Sequence, residues 1–98
     1  HTLSVIGTVG NVTVTWNNPS LCHGVKIMRK VGTAPNDHAD GDEIFNLNSD
    51  NGLLLGSQQV YVDSTCEAGN HYYYRAFAYD STPIYSVPVT SAQADIQL

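Results

Sequence analysis

The chain is predicted to fold as an all-β domain, an antiparallel sandwich of short strands. Three observations predict it. β-Branched and aromatic residues recur in short runs bounded by Gly, Asn, Asp and Pro. Helix signals are almost absent. At 98 residues and 42% hydrophobic content, there is material for one core and not for two.

The clearest strand is Val12-Thr13-Val14-Thr15-Trp16, which alternates apolar and polar strictly. Successive side chains of a strand point to opposite faces, so Val12, Val14 and Trp16 share the buried face. Asn17-Asn18-Pro19-Ser20 breaks the pattern. The next strand spans Gly24 to Val31, with Val25 and Ile27 on one face and Lys26, Met28 and Lys30 on the other. A turn-rich stretch leads to a short strand over Glu43 to Asn46. After a polar loop and Leu53-Leu54-Leu55, a strand over Gln58 to Val62 ends at Asp63-Ser64-Thr65. The aromatic segment Asn70 to Asp80, NHYYYRAFAYD, is the next strand. With a first strand over Leu3 to Ile6 and a last over Tyr85 to Ala92, the sum is seven strands at regular spacing. Pro88 removes a ladder donor, which places the last strand at a sheet edge.

Charge narrows the function classes. Nine acids against four bases leave a net charge of -5. That argues against a nucleic-acid binder, which needs a basic face to track phosphates. No apolar run approaches the ~20 residues that span a bilayer, so no membrane insertion is expected. A chain that opens at His1 and closes at Leu98 is expected to be a single module, residues 1–98, cut from a longer protein.

Three motifs in register carry a family resemblance. They are Val12-x-Val14-x-Trp16, then Gly24-Val25-Lys26-Ile27-x-Arg29, then Gly69-Asn70-His71-Tyr72-Tyr73-Tyr74-Arg75 leading to Ala78-Tyr79-Asp80. In this order they resemble a fibronectin type III domain, an immunoglobulin-like sandwich, over nearly the whole chain. The flavour is most similar to modules of bacterial secreted enzymes and of bacteriophage tail or fibre proteins. The resemblance implies that the first, second and fifth strands form one sheet and the others a second. Tyr72 then falls at the tyrosine corner, where a ring hydroxyl bonds back to the preceding loop. Tyr72, Tyr74, Ala76 and Ala78 are expected inside, facing Trp16. Tyr73, Arg75, Phe77 and Tyr79 are expected outside, beside Met28.

The same topology puts Cys22 and Cys66 in loops at opposite poles. A disulfide needs Cα atoms about 4.4–6.8 Å apart, and a strand of ordinary length already spans ~20 Å. No intrachain disulfide is expected. Cys66 is read as a small buried hydrophobe, and Cys22 as tucked beneath its loop.

No catalytic constellation, cofactor site or metal site is predicted. Cys22 and His23 are sequence neighbours, which face opposite ways on an extended chain. Asn36 to Glu43 concentrates acids and one histidine, but not at calcium-loop spacing; a solvated turn is the reading and a weak cation site the alternative. Asn11-Val12-Thr13 matches a glycosylation acceptor, idle in a bacterial or phage protein.

Two surfaces are candidate interaction sites. Tyr73, Phe77 and Tyr79 form either an ordinary cross-strand aromatic face, covered by Arg75 and lysine stems, or a docking face for a domain or glycan. Leu53, Leu54 and Leu55, between Gly52 and Gly56, are either a lid on the sandwich or a contact with another chain. The resemblance implies a non-catalytic spacer, attachment or decoration module of a larger virion protein (phage tail, fibre or capsid surface) or extracellular bacterial protein. Its partners are expected to be neighbouring domains or subunits, with a glycan as a further possibility. The alternative is an accessory, carbohydrate-contacting domain of a secreted glycoside hydrolase.

Overall fold

The structure, a computed structural model, describes residues 3–8, 11–67, 69–82 and 91–95, with 7–8 and 91–95 described by backbone alone. Among these residues the chain runs β1 (Leu3–Thr8), β2 (Asn11–Asn17), β3 (Gly24–Val31), β4 (Asp42–Asn48), β5 (Gln58–Asp63), β6 (His71–Tyr79) and β7 (Ser91–Asp95). They form two antiparallel sheets, ordered β1-β2-β5 and β4-β3-β6-β7. The division of strands between sheets is the one the resemblance implied.

The inward faces follow the period-2 pattern. Val12, Val14 and Trp16 of β2 meet Val25 and Ile27 of β3 and Tyr72 and Tyr74 of β6 in one buried cluster. Ala76 and Ala78 pack against the same cluster. Phe45 sets its ring edge-on to Trp16 at 4.8 Å and to Tyr61 at 5.7 Å, joining β4 to β2 and β5 of the facing sheet.

β4 is longer than its expected span over residues 43–46, because a bulge lets it continue. Ile27 pairs with Phe45 and Met28 with Glu43, so Ile44 is the extra residue. A bulge breaks the alternation. Ile44, Phe45 and Leu47 consequently all pack against the core. The expected last strand over 85–92 overlaps β7 only at Ser91 and Ala92. Its remainder, Pro88 included, lies outside the described residues. β7 itself stands at the sheet edge beside β6.

The tyrosine corner is present. The Tyr72 hydroxyl accepts the Glu67 backbone N–H at 2.8 Å and the Asn70 side-chain amide at 3.2 Å. Tyr72→Phe removes the acceptor from both donors. It is expected to cost about 1 kcal/mol, read as a lower urea midpoint at unchanged slope.

Both cysteines are free. Cys66 is buried in the core and Cys22 packs at its margin. Cys66 is more than a hydrophobe, however: its sulfur lies 3.3 Å from Asp63 Oδ2 and 3.2 Å from the Tyr74 hydroxyl.

Candidate interaction surface

Three loops meet at one pole of the sandwich: residues 18–23, 49–57 and the start of the loop after β6. Asn18 ties the first two together. Its Nδ2 donates to the Leu54 carbonyl at 2.9 Å and to Gln59 Oε1 at 2.7 Å, while its Oδ1 accepts the Trp16 indole N–H at 2.7 Å. Backbone bonds add to this, from Asn18 N to Ser57 O, Gly56 N to Pro19 O, and Ser49 N to His23 O. His23 N donates in turn to Tyr79 O at the end of β6. Gly52 and Gly56 take left-handed φ values of 110° and 71°, which side-chain-bearing residues resist.

This stitching separates the three leucines. Leu53 is 7% exposed and belongs to the core cluster. That corrects the expectation of Leu53 as a docking residue: the turn over residues 48–52 drops it into the end of the sandwich, where Leu53 N bonds Asn48 O. Leu54 and Leu55 stay out, at 56% and 41% exposure. Leu21, on the adjoining loop, is 91% exposed. Sequence reasoning passed over Leu21, because a lone leucine between Ser20 and Cys22 has no periodic pattern to mark it.

The aromatic face is not an open platform. Phe77 is only 2% exposed, and Met28 on the same outer face is also buried. Phe77 therefore leaves the set of docking residues. The loop over residues 32–41 also returns to this face, at Arg75 and Lys30. Its Pro35 is buried and accepts Arg75 Nη1 at 3.0 Å, while Lys30 pairs with Asp40 at 2.9 Å. Lys26 stands opposite Phe77 and Met28 opposite Arg75, so long stems cover the rings. Tyr73 and Tyr79 are half-buried, and the Tyr79 hydroxyl donates to Asn46 Oδ1.

A second apolar surface was also missed. On the outer face of the three-stranded sheet, Ile6, Val60 and Val62 are exposed, with Thr13 between Ile6 and Val62 in register. The Val60-x-Val62 alternation is the available signal, but alternation alone does not say which face of a strand is covered. β-Branched residues interleaved with threonines are ordinary on an exposed sheet face.

At the opposite pole, charge is consumed internally. Asp63 is buried; its Oδ2 accepts Arg29 Nη1 at 2.9 Å and the Tyr74 hydroxyl at 2.8 Å. Its Oδ1 accepts the Thr65 hydroxyl and N–H. Burial pushes the Asp63 carboxyl up, but the bonds from Thr65, Tyr74 and Cys66 outweigh it and hold it at about 2. Burial pushes the Tyr74 phenol and the Cys66 thiol up. Arg29 also pairs with Asp42 and lies over the Tyr72 ring at 5.0 Å. This network holds β3, β5 and β6 together, with Asp63, Cys66 and Tyr74 all buried.

One constellation has the residue types of a hydrolytic triad. His23 Nδ1 lies 3.5 Å from Ser49 Oγ, and His23 Nε2 lies 4.0 Å from Asp50 Oδ2. Activation of a serine needs a base within about 2.6–3.2 Å and an acid orienting its other nitrogen. Both contacts here are longer, and Ser49 and Asp50 are exposed. Among the described residues no three His, Cys, Asp or Glu stand together as a metal site, and no helix is long and apolar enough to cross a membrane.

No protein-family profile and no curated protein matches the sequence. The architecture does have a solved counterpart. A Fn3-like protein from Clostridium thermocellum superposes with a TM-score of 0.65 at 17% identity, over 99% of this chain and 90% of that one. The chain thus has a fibronectin type III-like fold.

Proposed function

We propose that the chain is a non-catalytic module that attaches a neighbouring domain or subunit of a larger protein through the leucine-bearing pole. One observation carries the reading: Leu21, Leu54 and Leu55 are exposed on loops that Asn18 and the backbone bonds hold in place. Exposed leucines on a pre-ordered loop bury apolar area on docking without a large ordering cost. By the family resemblance, the larger protein is a virion component or an extracellular bacterial protein. The carbohydrate-contacting alternative would rest on the half-buried Tyr73 and Tyr79 without the buried Phe77 ring.

The test is the double variant Leu54→Asp/Leu55→Asp in the parent protein. Association with the neighbouring domain or subunit is expected to weaken at least tenfold, about 1.4 kcal/mol. The melting temperature of the isolated domain is expected to stay nearly unchanged. Undiminished association in the variant overturns the reading.

A further inference from the structure

The outer face of the four-stranded sheet carries a cluster independent of the leucine pole. Lys26 on β3 stands directly opposite Asn46 on β4. Directly paired side chains start about 5 Å apart at Cβ, within reach of a lysine stem. Glu43 bridges the pair: its Oε1 lies 3.4 Å from Lys26 Nζ and accepts Asn46 Nδ2 at 3.4 Å. The fourth member is Tyr79, whose hydroxyl donates to Asn46 Oδ1. Tyr79 lies on β6, two strands away from Asn46, and its ring crosses β3 above Gly24. A Cβ added at Gly24 would sit 2.2 Å from the Tyr79 ring carbon Cζ, so the absent side chain is what lets the ring pass. Lys26 and its neighbour Phe77 are both buried, whereas Glu43 keeps one side open to water.

These are the parts an amide-forming reaction needs: an amine, an amide carbonyl, a carboxylate touching both nitrogens, and a donor on the carbonyl oxygen. We propose that Lys26 and Asn46 join in an intrachain isopeptide bond. Glu43 takes a proton from the Lys26 ammonium, and the freed Nζ lone pair attacks Asn46 Cγ. The carbonyl electrons move onto Oδ1, where the Tyr79 hydroxyl stabilises them. Glu43 passes the proton to Nδ2, the Cγ–Nδ2 bond breaks, and the carbonyl re-forms. Two of the three ammonium protons leave with the Asn46 nitrogen as ammonium ion, and Glu43 returns to its carboxylate. The step consumes no oxidant, reductant or second substrate. Its product fastens β4, a sheet-edge strand, covalently to β3.

Intact-mass measurement of the purified chain decides it. The mass is expected to fall short of the sequence mass by one ammonia, and digestion is expected to yield one branched peptide joining residues of β3 and β4. Lys26→Arg keeps the ion pair but cannot form this amide, and should show the full mass. Glu43→Gln should slow the loss about a hundredfold or more, the scale of a positioned proton shuttle. Tyr79→Phe should slow it less. A wild-type chain at full mass after prolonged incubation overturns the proposal, leaving a plain ion pair. So does an ammonia loss that persists in Lys26→Arg, which would place it at another asparagine, such as Asn51 before Gly52. Circular dichroism of each variant confirms that the comparison is between folded chains.

Discussion

Replacing Arg29 by methionine is expected to destabilise the isolated domain by about 3–5 kcal/mol, the usual consequence of stranding one partner of a buried ion pair. The Asp63 carboxylate is buried, and Arg29 is its cationic partner at 2.9 Å. Methionine fills much of the same space but leaves that charge without its counterion. Domains of this size have about 5–15 kcal/mol in total, so a large share of the variant is expected unfolded at moderate urea. Arg29→Lys should not rescue it fully. The guanidinium meets Asp63 and Thr65 through Nη1 and Asp42 through Nη2, and it lies over the Tyr72 ring, 5.0 Å from its centroid. An ammonium has no second arm and no plane. The double variant Arg29→Met/Asp63→Asn should recover part of the loss, because the stranded charge is then gone. A full loss that persists in the double variant would place the effect in packing rather than in charge.

The same carboxylate sets an acid limit. Asp63 titrates at about 2 in the folded chain, against an ordinary value of 3.8. A group with a depressed folded value binds its proton more readily when unfolded. Its stabilisation is therefore complete above about pH 4 and is lost as pH falls towards 2. The lowering to about 2 corresponds to about 2 kcal/mol of stabilisation at neutral pH. Urea midpoints measured between pH 5 and 2 should fall over this window, and the fall should be shallower in Asp63→Asn. An equal slope in both proteins would assign the acid loss to other carboxylates.

This network shows where sequence reasoning stopped. The sheet allocation and inward tyrosines were legible because they depend on a period of two, and Val12, Val14, Trp16, Tyr72 and Tyr74 keep it. Arg29 lies on the same inward-facing series as Val25 and Ile27, although the sequence reading placed only the two apolar residues there. Its partner carries no such signal. Asp63 was read as a strand terminator, and nothing local says that a turn acid faces a cation on the opposite sheet. The outer face failed for a related reason. Strand alternation says which way Phe77 points, but whether its face is covered depends on the lysine stem opposite it and on where the loop over residues 32–41 returns. Loop return is a tertiary fact with no short-range signature in this chain.

The leucine run puts the same lesson in measurable form. Leu53→Ala is expected to cost about 2–5 kcal/mol, the range for a buried leucine cut back to its Cβ. Leu53 plugs the end of the core between the turn over residues 48–52 and the loop held by Asn18. Removing its branch leaves a cavity that these hydrogen-bonded loops cannot close easily, so the upper half of the range applies if they stay in place. Leu54→Ala, one residue on, loses a side chain that is mostly in water, and should change stability by no more than about 0.5 kcal/mol. The contrast between neighbours matters more than either value. Equal, small effects would mean that the loop lies off the core and that all three leucines are free to dock. Equal, large effects would mean that Leu54 is core as well, which would remove the exposed apolar pole on which the attachment role rests.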